Sequence, residues 1–347
     1  MTWTDLLLNW YSENKRFFEW RKTREPYKIW LSEIILQQTR TSQGLPYYNR
    51  FIQTFPTLED LALASEDEVL KLWQGLGYYS RARNLHATAR FIYDECGGVF
   101  PNTFEKLLEL KGVGDYTASA IASICFNIPQ AVVDGNVYRF LSRYFGITTP
   151  INSGVGKREF KAKAMELIDS NRPGEFNQSL MEFGSVQCKP QSPNCGVCPF
   201  SMDCFAFNHH QIDRLPIKNK KLEKTNRYFN YLVVSDSKDH FLLEKRVQKG
   251  IWQNLFQFPL VETQSIPENL SDLITEETFP KELIPLQQRF SLWNSQPITH
   301  KLSHQNLFIH FWVLSTPENL PQGIPKKELE NFAVPIVIHN FLNVFFK

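Results

Sequence analysis

The sequence predicts two domains: a mainly α-helical one carrying a four-cysteine loop, then an α+β one. Three observations lead there. Apolar residues recur at spacings of three and four from the start to about residue 205, the period of a helix. After Pro216 the texture changes to short β-branched and aromatic runs, RYFNYLVV, HFLLEKR and LFIHFWVL. Between the two lies a polar, lysine-rich stretch. The expected boundaries are therefore 1–207, a linker at 208–225, and 226–347. A chain of 347 residues is long enough for two cores of ordinary size.

The opening MTWTDLLLNWYSENKRFFEW sets Asp5, Asn9 and Glu13 among apolar residues, an amphipathic helix and not a signal peptide. Stretches 59–73, 81–95, 104–110, 116–126 and 137–145 read as short helices, with turns at Gly75, Gly77, Gly97, Gly98, Gly112 and Gly114. In the second half SDSKD separates two strands as a hairpin turn would, and 307–314 reads as a strand. No stretch approaches the roughly 20 apolar residues of a membrane span, which points to a reducing cytoplasm. A net charge of +2 does not by itself announce a nucleic-acid partner. Lys218, Lys220, Lys221 and Lys224 form a basic strip, and Arg81, Arg83 and Arg90 recur along one helical pattern. A solvated face explains such groups as readily as phosphate contact does.

Cys188, Cys195, Cys198 and Cys204 form a C-x6-C-x2-C-x5-C run, while Cys96 and Cys125 lie far upstream. Four thiolates so close can converge on one soft-metal site, zinc or iron–sulfur. Unequal gaps in a single compact run favour a four-iron four-sulfur cluster over a zinc ribbon. Two disulfides are the competing reading, and nothing else in the chain suggests secretion.

LKGVGDYTASAIASI, residues 110–124, places Gly112 and Gly114 just before a helix of small and apolar residues. Backbone amides there can approach a phosphate closely at a positive helix end, the helix-hairpin-helix pattern of sequence-independent DNA grip; an ordinary packing joint is the plainer alternative. Two carboxyls stand out. Glu33, in YKIWLSEIILQQT, has Ile29, Trp30, Leu36 and Gln37 at helical spacing, so its pKa should rise and the group can serve as a general acid. Asp134, in AVVDGNVYRFL, precedes a helix whose amides should favour the anion. One raised and one lowered carboxyl suit cleavage of a glycosidic bond, the first protonating the leaving group and the second stabilising charge on the sugar. A partly buried surface glutamate and a plain helix cap are the alternatives.

Taken together, WRKTREPYKIWLSEIILQQT, LWQGLGYYSRARNL, LKGVGDYTA, VVDGNVYR, FNQSLMEFG and the cysteine loop resemble, in order and spacing, the helix-hairpin-helix DNA glycosylases of the endonuclease III superfamily, and within it the branch that removes adenine. The resemblance implies that Glu33 protonates adenine at N7 and that Asp134 stabilises the oxocarbenium ion. Tyr116 and Asn136 match positions beside the reacting sugar, and Trp20, Arg21 and Glu182 match residues lining the pocket of the extruded base. Gln38 and Tyr78 match side chains that fill the gap left in the duplex, offsetting an unstacking cost of a few kcal/mol. Where relatives with strand-cleaving activity carry a lysine, this chain has Tyr116, which cannot form a Schiff base, so a monofunctional enzyme is expected.

The C-terminal half resembles the Nudix-like domain fused to these glycosylases, with GIWQNLFQFP similar to its characteristic loop. No glycine occurs from Ile251 to Gln322, so the Gly-led hydrolase box is missing and the domain should read rather than hydrolyse. KLSHQN offers Ser303 and His304 as the pair that contacts 8-oxoguanine, with Leu302 where an aromatic is more usual. The four cysteines become ligands of a 4Fe-4S cluster that holds a loop bearing Lys189 against a DNA phosphate. The implied whole is a monomer that acts on duplex DNA holding adenine opposite 8-oxoguanine. A bifunctional glycosylase/lyase for oxidised pyrimidines, a non-catalytic cluster-bearing DNA-binding protein and a nucleotide pyrophosphatase are the rival readings.

Overall fold

In the computed structural model, which describes residues 2–219 and 223–347, the chain forms two compact units: Met1–Leu63 with Asn84–Lys220, and Ala64–Arg83 with Lys221–Lys347. The first unit is helical. It contains α1 (Trp3–Asn14), α2 (Pro26–Leu36), α3 (Thr41–Thr54) and α4 (Leu58–Leu63); α5 (Glu66–Trp73) and the start of α6 (Ser80–Glu95) belong to the second. The first unit continues through α7 (Phe104–Leu108), α8 (Asp115–Phe126), α9 (Gly135–Phe145), α10 (Gly154–Leu167), α11 (Pro173–Val186) and α12 (Phe205–Asn208).

Helices α1, α8 and α9 all pack on α11, and α2 packs on α8. Their apolar stripes meet in a core of Leu7, Phe140, Phe160, Phe176, Leu180 and Phe183. Phe140 and Phe183 lie 4.3 Å apart between ring centroids, and Trp3 stacks on Phe140 at 5.7 Å. Two small features of α11 bring the chemistry-bearing segments together. Asn177, fully buried, accepts from the Val132 amide at 2.9 Å and donates to Ser123 Oγ at 2.8 Å and the Gln130 carbonyl at 2.7 Å, fastening the extended run before α9. A Cβ on Gly184 would lie 2.4 Å from the Asn136 carbonyl oxygen, so only glycine admits the first turn of α9 so close.

The expected helix at 59–73 is two helices. Ser65 caps α5 through a reciprocal capping box with Glu68, which ends α4 and starts a new axis. Residues 64–83, expected within the first domain, group with the second unit. Lys71 Nζ donates to the Phe332 carbonyl at 3.2 Å, and Arg83 donates to the Gln253 carbonyl at 2.8 Å. Much of the expected linker belongs to the helical unit: Leu215 is buried, its carbonyl accepts from Arg143 at 3.2 Å, and the Ile151 amide donates to Ile217 O at 3.0 Å. Lys220 and Lys221 of the basic strip lie outside the described residues; Lys218 is exposed, and Lys224 donates to the Leu302 carbonyl.

The second unit is built on two twelve-residue strands, β1 (Thr225–Asp236) and, after six shorter strands, β8 (Gln305–Thr316), paired in parallel with Tyr231 opposite Phe311. The strands between are β2 (His240–Phe241), β3 (Glu244–Lys245), β4 (Phe256–Gln257), β5 (Leu260–Thr263), β6 (Ser291–Leu292) and β7 (Ile298–Lys301), and β9 (Ile324–Pro325) follows. The SDSKD turn does close an antiparallel pair, β1 with β2, and β5 flanks β1 while β6 and β7 flank β8. Both faces of the central pair are covered, as a parallel pair requires. Tyr231 and Phe311 lie on one face, where Phe311 stacks at 4.0 Å on Phe341 of the helix at Ile336–Phe345. Leu232, Val234, Trp312 and Leu314 meet Leu273, Phe279 and Leu283 on the other. Among the described residues no helix is long and apolar enough to cross a membrane.

Asn177→Ala leaves the Val132 amide and the Gln130 carbonyl without their buried partner, and should lower stability by about 2–3 kcal/mol. A drop in the urea midpoint at unchanged slope would register it.

Candidate active site

A cavity of about 160 Å³ in the helical unit, roughly five waters in volume, brings together Glu33, Tyr116, Asp134, Asn136, Trp20, Arg21 and Glu182. Residues predicted from segments more than 100 positions apart thus meet at one place. Glu33 sits on the last turn of α2, whose start is set by Pro26 at its first turn, and is only 8% exposed. Burial raises its carboxyl to about 7; the hydrogen bond from Tyr116 opposes the rise, and Asp134 adds to it. Tyr116, in the first turn of α8, has its hydroxyl 3.5 Å from Met181 Sδ, and burial followed by the charge of Glu33 keeps it neutral far beyond the usual phenol range.

Asp134 caps α9. Its Oδ1 accepts from the Asn136 amide at 2.9 Å and the Val137 amide at 2.8 Å, and its Oδ2 accepts from Asn136 Nδ2 at 2.7 Å. The cap is as expected, but the predicted lowering is not what results. Enclosure raises the carboxyl above its ordinary 3.8, outweighing the Val137 and Asn136 hydrogen bonds and the nearby Arg139 that pull it down. The two carboxyls are therefore shifted in the same direction, not in opposite ones.

Glu182 shows the reverse balance. Burial pushes it up, but Arg16 Nε at 2.7 Å and Arg21 Nη2 at 2.8 Å outweigh that and hold it at about 2. Both guanidiniums lie over the Phe18 ring, at 5.3 and 5.0 Å, and Phe18 stacks on Trp20 at 4.9 Å. Arg16 is the residue that sequence reasoning missed. It leaves α1 in the run NKRFFEW, where no periodicity singles it out.

The hairpin residues precede α8 as expected: Gly112 has φ +80°, and a Cβ there would meet Asn84 at 2.8 Å, while Gly114 caps the helix. Gln38 is exposed with φ +55°, and Tyr78 is exposed with φ +48°, both left-handed backbones that a side chain rarely takes. Arg81 and Arg83, read as a possible basic face, are spoken for internally. Arg81 is buried with its guanidinium 5.0 Å from the Trp73 ring, and burial lowers it to about 10.

In the second unit, Tyr78, Trp252, Leu302, Ser303 and His304 line a cavity of about 380 Å³, and the Tyr78 hydroxyl is hydrogen-bonded to Ser303 Oγ. Trp252, positioned at φ +58°, was not singled out from sequence as part of this wall.

Cys188, Cys195, Cys198 and Cys204 line one small cavity beside Phe140, Phe183 and Phe200, and none is disulfide-bonded. Among the described residues no three histidine, cysteine or acidic side chains converge on a single metal ion. Burial raises Cys198 to about 11, and the charges of the other three add to it. Arg143 Nη1 stands 3.5 Å from Cys188 Sγ and donates to the Lys189 carbonyl at 2.7 Å, while Lys189 itself is exposed.

Residues 31–169 match the HhH-GPD superfamily of base excision DNA repair proteins, and 230–344 match the NUDIX domain. The adenine DNA glycosylase of Buchnera aphidicola subsp. Schizaphis graminum is 36% identical over 314 residues, 88% of this chain and 85% of the relative. The human adenine DNA glycosylase is 46% identical over 218 residues, 60% of this chain and 40% of its own. Among solved structures, a thermostable thymine-DNA glycosylase superposes with TM-score 0.55 at 30% identity, covering 59% of this chain and 95% of its own. A non-covalent endonuclease III–DNA complex, TM-score 0.52 at 22% identity over 60% of this chain and 94% of its own, shares the fold. With similarity to such relatives running through both halves, the chain belongs to the adenine DNA glycosylase family.

Proposed function

We propose that this adenine DNA glycosylase removes adenine paired with 8-oxoguanine, as a monomer in the cytoplasm, without cutting the strand. The observation that carries the chemistry is the buried Glu33, raised to about 7 and set against Tyr116 and Asp134 in one cavity. A carboxyl with that pKa keeps its proton in about half of the molecules at neutral pH and gives it up readily. Glu33 protonates N7 of the extruded adenine, the N-glycosidic pair of electrons leaves with N9, and positive charge develops at C1′ and the ring oxygen. Asp134, ionised and fixed by the α9 amides and Asn136, faces that charge. Water adds to C1′ and loses its proton to solvent or to the Glu33 carboxylate. Trp20, Arg21 and Glu182 wall the base, with Arg16 holding Glu182. Tyr116 has no amine with which to form an imine, so the abasic strand stays intact.

The Tyr78–Ser303 cavity is the proposed reader of the partner base, with His304 at its rim and the exposed Gln38 filling the duplex beside the lesion. Gly112 and Gly114 would bring the α8 amides to a phosphate. The four thiols that line one cavity would hold a 4Fe-4S cluster, a structural group that takes no proton in this reaction. Arg139 and Arg143 donate to backbone carbonyls of that loop and so set Lys189 facing outward.

Glu33→Gln should cut single-turnover adenine release by about 10²–10⁴-fold. Because the acid must be protonated, release by the native enzyme should fall as pH rises through about 7. On the acid side it should fall along a limb displaced upward from the ordinary aspartate value of 3.8. A profile flat from pH 6 to 9, with active Glu33→Gln, refutes the acid role. Ser303→Ala with His304→Ala should leave adenine release opposite guanine within about twofold while shrinking the preference for 8-oxoguanine by about tenfold, the worth of one good polar contact. Freshly purified protein should absorb visible light and contain iron, and Cys198→Ser should lose both; zinc in their place overturns the cluster assignment.

A further inference from the structure

The geometry points to a second opening of the adenine pocket, through which the freed base leaves while the duplex still covers the first. A cavity of about 690 Å³, larger than the catalytic one, lies against it in the same helical unit. Arg16, Phe18, Arg21, Ile124 and Gln178 line both cavities, so one layer of residues separates them. The inference rests on the proposed roles of Glu33 and Asp134 only in taking the smaller cavity as the place where adenine is cut.

Two helices independently give the direction. On α8, Tyr116 borders the catalytic cavity and Ile124 the shared wall, a separation of about 12 Å along the axis at 1.5 Å per residue. Asn127, which ends α8, lies farther still and borders only the larger cavity. On α11, Glu182 faces the catalytic cavity, while Gly174, again about 12 Å away, borders only the larger one. The Gly112–Gly114 hairpin and the sugar-facing residues Tyr116, Asp134 and Asn136 all sit at the opposite end of α8. The larger cavity therefore opens at the end remote from the proposed DNA contacts.

Once the glycosidic bond breaks, the abasic sugar remains part of the bound strand and continues to fill the mouth through which the base entered. Adenine must then wait for the duplex to leave or pass inward. The dividing layer suits passage. Gln178 accepts a 3.2 Å hydrogen bond from Tyr11 and can change rotamer without moving backbone, while Arg16 and Arg21 stay fixed on Glu182 as the frame of the passage. Beyond them the walls offer flat groups on which a neutral purine can stack, the guanidiniums over Phe18 and then Phe17, 85% exposed at the rim.

The test uses full-length enzyme bound to a duplex with a tetrahydrofuran abasic site, mixed with tritiated adenine. A second opening predicts association whose rate rises linearly with adenine concentration while the duplex stays bound. Thr23→Trp and Asn171→Trp, two independent plugs in the wall of the larger cavity, should each slow that association by about tenfold. Single-turnover excision should stay within about twofold of native in both, which also verifies their folding. Adenine association capped at the rate of duplex dissociation, or unaffected by either plug in an actively excising variant, overturns the proposal. Absence of adenine excision by the native enzyme would instead overturn the catalytic reading.

Discussion

The close approach of α11 to the segment ending at Asp134 is the constraint on which the site depends. Three residues of one helix enforce it. Asn177 ties down the run from Gln130 to Val132, Gly184 lets the first turn of α9 come into backbone contact, and Glu182 gathers Arg16 and Arg21 from a part of the chain more than 150 residues earlier. An alanine at 184 would push Asn136, and with it the donors that fix Asp134. The core of phenylalanines around Phe183 and Phe140 holds α11 rigid enough to act as this reference.

The electrostatics follow from how many donors each carboxyl finds once buried. Glu182 meets two guanidiniums and is held at about 2, Glu33 meets one phenol and rises to about 7, and Asp134 meets two amides and a carboxamide and still ends above its ordinary value. Burial raises all three; the number and charge of the partners decide the outcome. Glu33 rises as far as it does because so little opposes its desolvation.

Much of this was readable in the residues. The apolar neighbours of Glu33 at helical spacing foretold burial, the position of Asp134 before a helix foretold its cap, and the cysteine spacing foretold that the four thiols would converge, though not what they hold. The break between α4 and α5 was written in Ser65 and Glu68 as a capping signature, but the apolar period ran through it and suggested a single helix. What could not be read was tertiary. The net rise of Asp134 comes from enclosure by distant elements, Arg16 is defined only by Glu182, and the placing of 64–83 depends on carbonyls at Gln253 and Phe332.

That last arrangement bears on how the chain matures on the ribosome. The second unit is discontinuous: the 20 residues from 64 to 83 emerge first, and their strands and carbonyl acceptors begin to follow only after residue 221. At typical synthesis rates of 5–20 residues per second, roughly 7–28 s separate the two. Throughout that interval Trp73, Leu76 and Tyr79, buried in the finished protein, have not met the later half of their unit. The early segment of the nascent chain must therefore keep these apolar side chains waiting until the rest of its unit is made.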